Sequence, residues 1–251
     1  MVTNPKKQTV VAIGGGELKD LDTLPIDKEI IRLSGKKKPL ALFIPTASGD
    51  AMGYVECFKS VYGNRLGCHT DALLLIKEKL SAKEIKNKIL SADIIYVCGG
   101  NTARMLRIWK KYGVDRLLKE AHKNGTILSG LSAGAICWFK YGLSDSRRFA
   151  KNKDDFAFMR ISGLGIISCT VSPHHIREKE KREPGLAVMM CKTNGVGLAI
   201  DDNAAIMVQG DKYKVLTSKP GVGIVKVFNK KNKIERIKIP HEGTLIDLLS
   251  H

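Results

Sequence analysis

The sequence predicts an α/β protein built on an open, doubly wound, mostly parallel sheet. In the first half of the chain, short apolar runs alternate with polar or amphipathic helical stretches. The apolar runs are continuous and rich in Val, Ile and Leu, as in parallel strands that helices cover on both faces. Several runs end in glycine, which is typical of tight strand-to-helix turns. A length of 251 residues fits one such domain, spanning 1–251.

Five predicted strands and their helices follow one another in the first half. The stretch SAKEIKNKILS, at 81–91, has the apolar spacing of an amphipathic helix. The stretch that begins AGAICWFKYG, at 133, predicts the start of another helix. The remaining elements are strands at 9–15, 38–48, 69–76, 92–100 and 126–132, a helical stretch at 51–63, and one or two helices over 101–125.

After about residue 145 the pattern changes to short strands and turns. The apolar stretches GLGIISCTVSPHHI and GVGLAIDDNAAIMVQG, followed by KYKVLTS and GIVKVFNKKNKIERIKI, predict strands that extend or flank the same sheet. Gly210 and Asp211 lie between two such runs and indicate a hairpin. The last residues, TLIDLLSH, predict a short closing helix. The polar segment at 145–160 is long enough to act as a lid over a site.

The formal net charge of +17 is large enough to raise the question of nucleic acid or an acidic substrate. Lysines are spread along the whole chain and are mixed with glutamates, and no aromatic residues interleave with them as in a stacking platform. The charge therefore indicates a solvated surface, and a nucleic-acid partner is not expected.

The cysteines and the apolar runs bear on the compartment. The six cysteines are scattered without a CxxC pair, which favours reduced thiols in a cytoplasmic protein. No run approaches 18 apolar residues, and the beginning of the sequence lacks the apolar core of a signal peptide. We therefore expect a cytoplasmic protein without a membrane partner. No cluster of His, Cys and Asp has the spacing of metal ligands, so neither a metal nor a cofactor is expected.

The stretch GLSAG, at 130–134, places one serine between two glycines at the end of a predicted strand. It fits the nucleophile elbow G-x-S-x-G, in which small neighbours allow a tight, strained turn. Ser132 is the candidate nucleophile. The backbone N–H of Ala133, at the first turn of the next helix, is a candidate oxyanion donor. A plain strand–helix turn would give the same short pattern.

A nucleophilic serine needs a base and an acid that orients it. His174 directly follows an apolar run and Pro173, which places it at the end of a strand and makes it the candidate base. Two stretches offer the acid, IDDN with Asp201 and Asp202, and LSDS with Asp145. An aspartate in either place could equally be a turn or cap residue.

The end of the fourth predicted strand offers a second oxyanion donor. In CGGNT, the backbone N–H of Gly100 could approach a substrate closely because glycine has no side chain. Asn101 could contact the substrate or fix the loop, and a helix cap at Asn101 or Thr102 is the alternative.

A nucleotide-binding protein is a competing interpretation. The first strand and its turn, VVAIGGGELKD, are similar to the opening of a dinucleotide-binding unit. The third glycine of G-x-G-x-x-G is missing, since Lys19 stands in its place. No acidic residue follows a clear second strand at the expected distance.

Taken together, these stretches resemble the dipeptidase E family of serine peptidases, which includes α-aspartyl dipeptidase and cyanophycinase. The stretches follow the family order; they are AIGGGE, FIPTAS, ADIIYVCGGNT, GLSAGAICWF, SPHH and GLAIDDNAAIMV, within about 9–208. The resemblance implies a three-layer αβα sandwich related to class I glutamine amidotransferases. It also implies Ser132 as nucleophile and His174 as base. Similarity to cyanophycinase points to Asp202 as the acid, which we favour over Asp145.

The resemblance also implies a small peptide as substrate. Cyanophycinase carries spaced arginines after its histidine, whereas here glutamates are interspersed in HHIREKEKREPG, which argues against cyanophycin. A dipeptide with an N-terminal aspartate fits better, and its carboxylate could pair with Arg147, Arg148 or Arg177. Another amide or isopeptide remains an alternative substrate. The sequence leaves the oligomeric state open between a monomer and a homodimer.

Overall fold

The computed structural model describes residues 7–149, 157–193 and 195–250 and has the predicted α/β class. Its first half alternates strands and helices as the apolar pattern predicts. The elements are β1 (Thr9–Ile13), α1 (Leu24–Leu33), β2 (Leu40–Ile44), α2 (Met52–Phe58), β3 (His69–Ala72), α3 (Ala82–Ser91), β4 (Ile94–Val97), α4 (Thr102–Tyr112), α5 (Val114–Lys123) and β5 (Ile127–Leu131). A π-helix at Lys59–Arg65 continues α2 directly.

The second half is richer in strands. Its elements are α6 (Ala133–Ile136), β6 (Phe139–Ser144), β7 (Met159–Ser162), β8 (Ile167–Ser172), α7 (Lys179–Cys191), β9 (Val196–Ile200), β10 (Ala204–Gln209), β11 (Lys212–Thr217), β12 (Ile224–Lys230), β13 (Lys233–Lys238), β14 (Glu242–Thr244) and α8 (Leu245–Leu249). Short 3₁₀ turns lie at Leu18–Asp20, Thr46–Ser48 and Ser146–Phe149. None of the described helices is long and apolar enough to cross a bilayer.

The larger sheet has eight strands in the order β14-β11-β10-β1-β5-β4-β2-β3. The strands β1 to β5 pair in parallel, and β10, β11 and β14 extend the sheet in antiparallel fashion. The chain steps toward one edge from β1 to β3 and back from β3 to β5. Right-handed crossovers therefore put α1 and α2 on one face and α3, α4 and α5 on the other. This sheet is the central layer of an αβα sandwich.

A second sheet of six strands has the order β13-β12-β9-β8-β6-β7. Its centre is parallel, while β7, β12 and β13 pair in antiparallel fashion. From the sequence, the strands after about residue 145 were expected to extend or flank the same sheet. The strands β10, β11 and β14 extend the larger sheet, whereas β6 to β9, β12 and β13 pair among themselves in a sheet that packs against it through one core. Both sheets are therefore mixed, with parallel centres.

Two helices differ from the sequence-based expectation. The helix expected from residue 133 is the single turn α6, because the chain re-enters a sheet as β6 at Phe139. The helix α7 lies where short strands and turns were expected, and it tolerates an internal Pro184. A proline and a glycine within the stretch obscure its helical pattern. Part of the proposed lid segment, 150–156, lies outside the described residues.

One apolar core joins the two sheets. It contains Val10 and Phe43 from the larger sheet together with Val171 and Leu198 from the smaller one, all at most 1% exposed. A smaller cluster fills the space beneath α7. The connections that carry the site residues lie at the same end of the core: the turn after β5, the segment after β8 and the turn between β9 and β10.

Candidate active site

Ser132 follows β5 in a strained turn. Its backbone has φ 56° and ψ −110°, in the left-handed half of φ space that residues with a side chain rarely adopt. The flanking residues must be glycines because there is no room for a side chain: a Cβ on Gly130 or Gly134 would overlap the Val97 carbonyl oxygen of β4. The Ser132 N–H donates to the Ile13 carbonyl at 3.0 Å, which fastens the turn to β1. This geometry is that of a nucleophile elbow.

The imidazole of His174 lies directly against this serine. His174 comes two residues after β8 with φ 55°, and its side chain is 9% exposed. Its backbone N–H donates to the carbonyl of Gly14 at 3.1 Å. The ring atom Nε2 is 2.8 Å from Ser132 Oγ, a hydrogen-bond distance. The two residues, 42 positions apart, thus meet as the strand-end argument predicted.

Asp202 completes the array from the turn between β9 and β10. Its Oδ1 is 2.6 Å from Nδ1 of His174, and its side chain is 16% exposed. We assign the proton to Nδ1 because so short a contact with a carboxylate requires a donor there. Nε2 then carries a lone pair, which accepts the hydroxyl hydrogen of Ser132.

The other two candidate acids have different partners. The carboxylate of Asp145 pairs with Arg148 at 3.1 Å and approaches Arg182 at 3.8 Å. The carboxylate of Asp201 accepts the Gly223 N–H at 2.8 Å, and burial raises the pKa of Asp201. Asp202 is therefore the acid that contacts the imidazole.

The glycine turn after β1 holds the array together. The carbonyls of Gly14 and Gly15 accept the backbone N–H groups of His174 and Asn203. A Cβ on Gly15 would overlap the side chains of Asp202 and His174. The space against Gly15 is thus filled by the side chains of the array. From the sequence, this turn was compared with nucleotide-binding units and counted among the family stretches, but its contacts with the array were not predicted, although a glycine pair after a strand signals close approach.

The loop after β4 lies beside the serine. A Cβ on Gly99 would be 3.4 Å from the Cβ of Ser132. Gly100 has φ 134°, a backbone conformation open essentially to glycine alone. The hydrogen bonds within the described ranges use neither the Gly100 N–H nor the Ala133 N–H. Both predicted oxyanion donors therefore remain available, although α6 is too short to add much helix dipole.

Arg104 and Asn101 hold this loop in place. Asn101 caps α4, since its Oδ1 accepts the Arg104 N–H at 2.9 Å, so the helix-cap alternative describes its side chain. The Ala47 carbonyl accepts both the Asn101 N–H at 2.9 Å and the Arg104 guanidinium at 2.8 Å. Arg104 was not among the residues predicted from the sequence, because a polar residue in a helix does not indicate such a contact.

The three predicted substrate arginines differ in their surroundings. Arg177 contacts the array, with Nε 3.2 Å from Asp202 Oδ2 and one terminal nitrogen 2.9 Å from His174 Nδ1. Arg148 pairs with Asp145, and Arg147 is exposed. A cavity of about 510 Å³ lies between Arg148 and the chain after His174. Its lining residues are Arg148, Ile176, Arg177, Glu178, Lys179, Glu180 and Lys181.

A buried arginine fastens the segment that carries His174. The side chain of Arg182, on α7, is 2% exposed and binds Glu178 at 2.6 Å. It also donates to the Leu143 carbonyl at 3.3 Å and lies over the Phe158 ring. Burial acts to raise the pKa of Glu178, but the Arg182 guanidinium outweighs it and lowers that pKa. In the part of the chain described, no group of His, Cys, Asp and Glu could hold a metal ion.

Comparison with known proteins identifies the family of this chain. Residues 10–216 match the sequence model of peptidase family S51. The uncharacterized peptidase YgaJ of Bacillus subtilis is 33% identical over 93% of this chain and 97% of its own length. The cyanophycinase of Geminocystis herdmanii is 21% identical over 87% of this chain and 80% of that protein.

Solved structures show the same fold. A peptidase from an acI-B1 Actinobacterium has a TM-score of 0.69 at 19% identity, covering 96% of this chain and 98% of that one. A putative peptidase E from Listeria monocytogenes has a TM-score of 0.63 at 23% identity, covering 84% and 98%. A glutamine amidotransferase reaches only 0.34, too low to support the expected relation to that fold. By the family match and the similarity to YgaJ, the chain belongs to peptidase family S51, a family of serine peptidases.

Proposed function

We propose that this chain hydrolyses small peptides through a catalytic triad of Ser132, His174 and Asp202. The continuous hydrogen-bonded array, with Ser132 Oγ 2.8 Å from Nε2 and Asp202 Oδ1 2.6 Å from Nδ1, is the observation that carries this proposal. It lies on a strained elbow beside two unused backbone N–H groups. These are the components that acyl transfer by a serine requires.

Acylation begins when Ser132 Oγ attacks the scissile carbonyl carbon and the hydroxyl proton passes to Nε2 of His174. Asp202 stabilises the imidazolium through Nδ1–H. The N–H groups of Gly100 and Ala133 bind the oxyanion of the tetrahedral intermediate. The intermediate collapses to an acyl-enzyme as the imidazolium gives its proton to the leaving amine.

Deacylation repeats the sequence with water as nucleophile. His174 takes a proton from the water as its oxygen attacks the acyl carbonyl, and the same two N–H groups bind the oxyanion. The proton then returns to Ser132 Oγ, and the carboxylic acid product leaves as its carboxylate. The residues return to their starting protonation, so the cycle needs only substrate and water.

A dipeptide with an N-terminal aspartate is the proposed substrate. The cavity after His174 contains four basic side chains and two acidic ones, which favours a substrate carboxylate. Arginine suits this role because its planar fork binds carboxylates through two parallel hydrogen bonds. Glu178, one of the interspersed glutamates, is engaged by Arg182, and the segment lacks the regular arginine spacing expected for cyanophycin.

Replacement of the nucleophile is the direct test. Ser132→Ala should lower turnover of an Asp-Leu dipeptide by about 10⁴-fold or more, because the acyl-enzyme can no longer form. Amine release under saturating substrate measures this, and mass spectrometry after treatment with a fluorophosphonate locates the labelled residue. Ser129→Ala is the matched control, since its hydroxyl is buried in β5 and donates to the Ile95 carbonyl. Unchanged turnover in the Ser132 variant would exclude this nucleophile.

Substrate class is tested separately with a panel. Dipeptides and isopeptides that carry Asp, Asn or Leu in the first position should differ chiefly in kcat/KM, with Asp the preferred residue. Equal rates for Asp and Asn would contradict recognition of a carboxylate. Faster cleavage of the isopeptides would favour the alternative amide substrate while leaving the triad intact.

A further inference from the structure

Arg177 has two contacts that separate it from the other basic residues of the cavity. Its Nε is 3.2 Å from Asp202 Oδ2, and a terminal nitrogen is 2.9 Å from His174 Nδ1. Lys179 and Lys181 line the same cavity, but no ion pair links either one to a described residue. The guanidinium therefore lies against the outer side of the acid–imidazole pair.

The contact of Arg177 with Nδ1 is not a hydrogen bond in the active arrangement. A guanidinium only donates, so it could bond to Nδ1 only if that atom carried a lone pair. Asp202 Oδ1 lies closer to Nδ1, at 2.6 Å, and requires a proton on it. The contact that Arg177 makes in the active arrangement is thus the ion pair with Asp202 Oδ2, at 3.2 Å.

This ion pair lies on the oxygen of Asp202 that His174 does not use. The two oxygens of Asp202 have different partners, His174 on Oδ1 and Arg177 on Oδ2. Within the described ranges, no other side chain bonds to Oδ2. Without Arg177, the bond to His174 would be the one side-chain contact among the described residues that fixes the terminal torsion of Asp202, which is broad for aspartate.

We propose that Arg177 is a positioning residue, which holds Asp202 so that Oδ1 stays aligned with Nδ1 of His174. From the sequence, Arg177 was a candidate ligand for the substrate carboxylate. Its guanidinium is instead engaged by the acid of the array. This inference rests on the proposed function of Ser132, His174 and Asp202.

The charge of Arg177 acts in the opposite direction, because a cation beside Nδ1 opposes formation of the imidazolium. Two features limit that effect. The Arg177 side chain is 52% exposed, so water screens its charge. Two carboxylates, Asp202 and Glu178, also face the imidazole and offset it. Arg177 therefore affects the site more through the orientation of the Asp202 carboxylate, which is only 16% exposed, than through its own charge.

The test uses a neutral fluorophosphonate, which has no carboxylate for an arginine to bind. In its reaction, Ser132 Oγ bonds to phosphorus, the P–F bond breaks, the hydroxyl proton passes to His174 and fluoride leaves. Arg177→Met should lower the second-order rate of this reaction by about tenfold to a hundredfold, as expected for a misoriented base. Arg177→Lys should recover part of the rate, since an ammonium can still donate to Oδ2.

Arg107→Met is the matched control, because Arg107 is exposed on α4 and its loss changes the net charge equally. It should react at the wild-type rate. Steady-state kinetics add a second readout: Arg177→Met should lower kcat for an Asp dipeptide with little change in KM, the reverse of a lost substrate ligand.

Two outcomes would overturn the inference: a phosphonylation rate for Arg177→Met that equals or exceeds the wild-type rate, or a raised KM with unchanged kcat. If wild-type Ser132 is not labelled at all, the proposed function fails rather than the role of Arg177. Thermal unfolding identifies a variant that is misfolded. Should Arg177→Met prove misfolded, the comparison is made with Arg177→Lys against wild type.

Discussion

At the scale of single residues, the site depends on atoms that lie far apart in the sequence. Local sequence patterns indicated Ser132, His174 and Asp202 as candidates. Ser132 stands between two glycines, and the other two are polar residues at the ends of predicted strands. The local pattern did not choose between Asp202 and Asp145, and the preference for Asp202 came from the resemblance to cyanophycinase. In the structure, Asp202 is the aspartate that lies next to His174.

Amide substitution at the two aspartates separates their roles. Asp202→Asn should lower turnover by about 10³- to 10⁴-fold, because an amide no longer favours the Nδ1–H form of His174. Asp145→Asn should lower turnover by less than about tenfold, since its amide oxygen can still accept a hydrogen bond from Arg148 or Arg182. Steady-state kinetics on an Asp dipeptide measure both. A larger loss in the Asp145 variant would reverse the assignment.

At the scale of elements, a buried carboxyl joins α1 to the π-helix that continues α2. Asp27 accepts hydrogen bonds from Tyr62 at 2.7 Å and Thr23 at 2.8 Å. Burial raises the pKa of Asp27 to about 6, although both hydrogen bonds oppose the shift. The carboxyl is fully buried beside stacked aromatic rings, including Phe58 against Tyr62.

This carboxyl makes stability depend on pH. Because its folded-state pKa is above its unfolded value, the folded chain holds more protons between about pH 4 and 6. The free energy of unfolding therefore falls as pH rises through that window, by up to about 3 kcal/mol for two pKa units. Asp27→Asn removes this dependence.

The measurement is the difference in unfolding free energy between Asp27→Asn and wild type, from urea titrations at several pH values. The unfolding free energy of the variant should increase relative to that of the wild type as pH rises from about 4 to 6, and the difference should not change further above about pH 7. Other titrating groups cancel in the difference. A difference that stays constant with pH would contradict a raised pKa for Asp27.

The sequence predicted the elements of the first half well for a physical reason. Continuous apolar runs and amphipathic spacing are local signals. The strands β1 to β5 show the first, and the helices between them show the second. Which strands share a sheet depends on pairing between residues far apart in the sequence. The apolar run of β8 would look the same in the sequence whichever of the two sheets it joined. The helix α7 was missed because Pro184 and Gly185 interrupt its pattern, while Arg182 fastens it through tertiary contacts.

At the scale of the whole molecule, one core connects the two sheets. Trp109, on α4, packs against Trp138, next to the elbow, with ring centroids 6.5 Å apart. Both indoles are fully buried. Because the residues that form the site come from both sheets and the core is continuous, the sheets should not be independent units.

Unfolding should therefore be a single cooperative transition, as expected for the single domain 1–251. Tryptophan fluorescence reports the packing of Trp109 and Trp138, and far-UV circular dichroism reports both sheets and all helices. The two urea curves should coincide in midpoint and slope. Separate midpoints would indicate that one sheet unfolds before the other.

The carbonyls of Gly14 and Gly15 accept hydrogen bonds from residues 174 and 203, which lie some distance down the chain. During synthesis, the turn leaves the ribosome long before its partners exist. The array can close only after the turn between β9 and β10 has emerged and both sheets have docked. A nascent chain thus cannot form the array of Ser132, His174 and Asp202 before residue 203 has emerged.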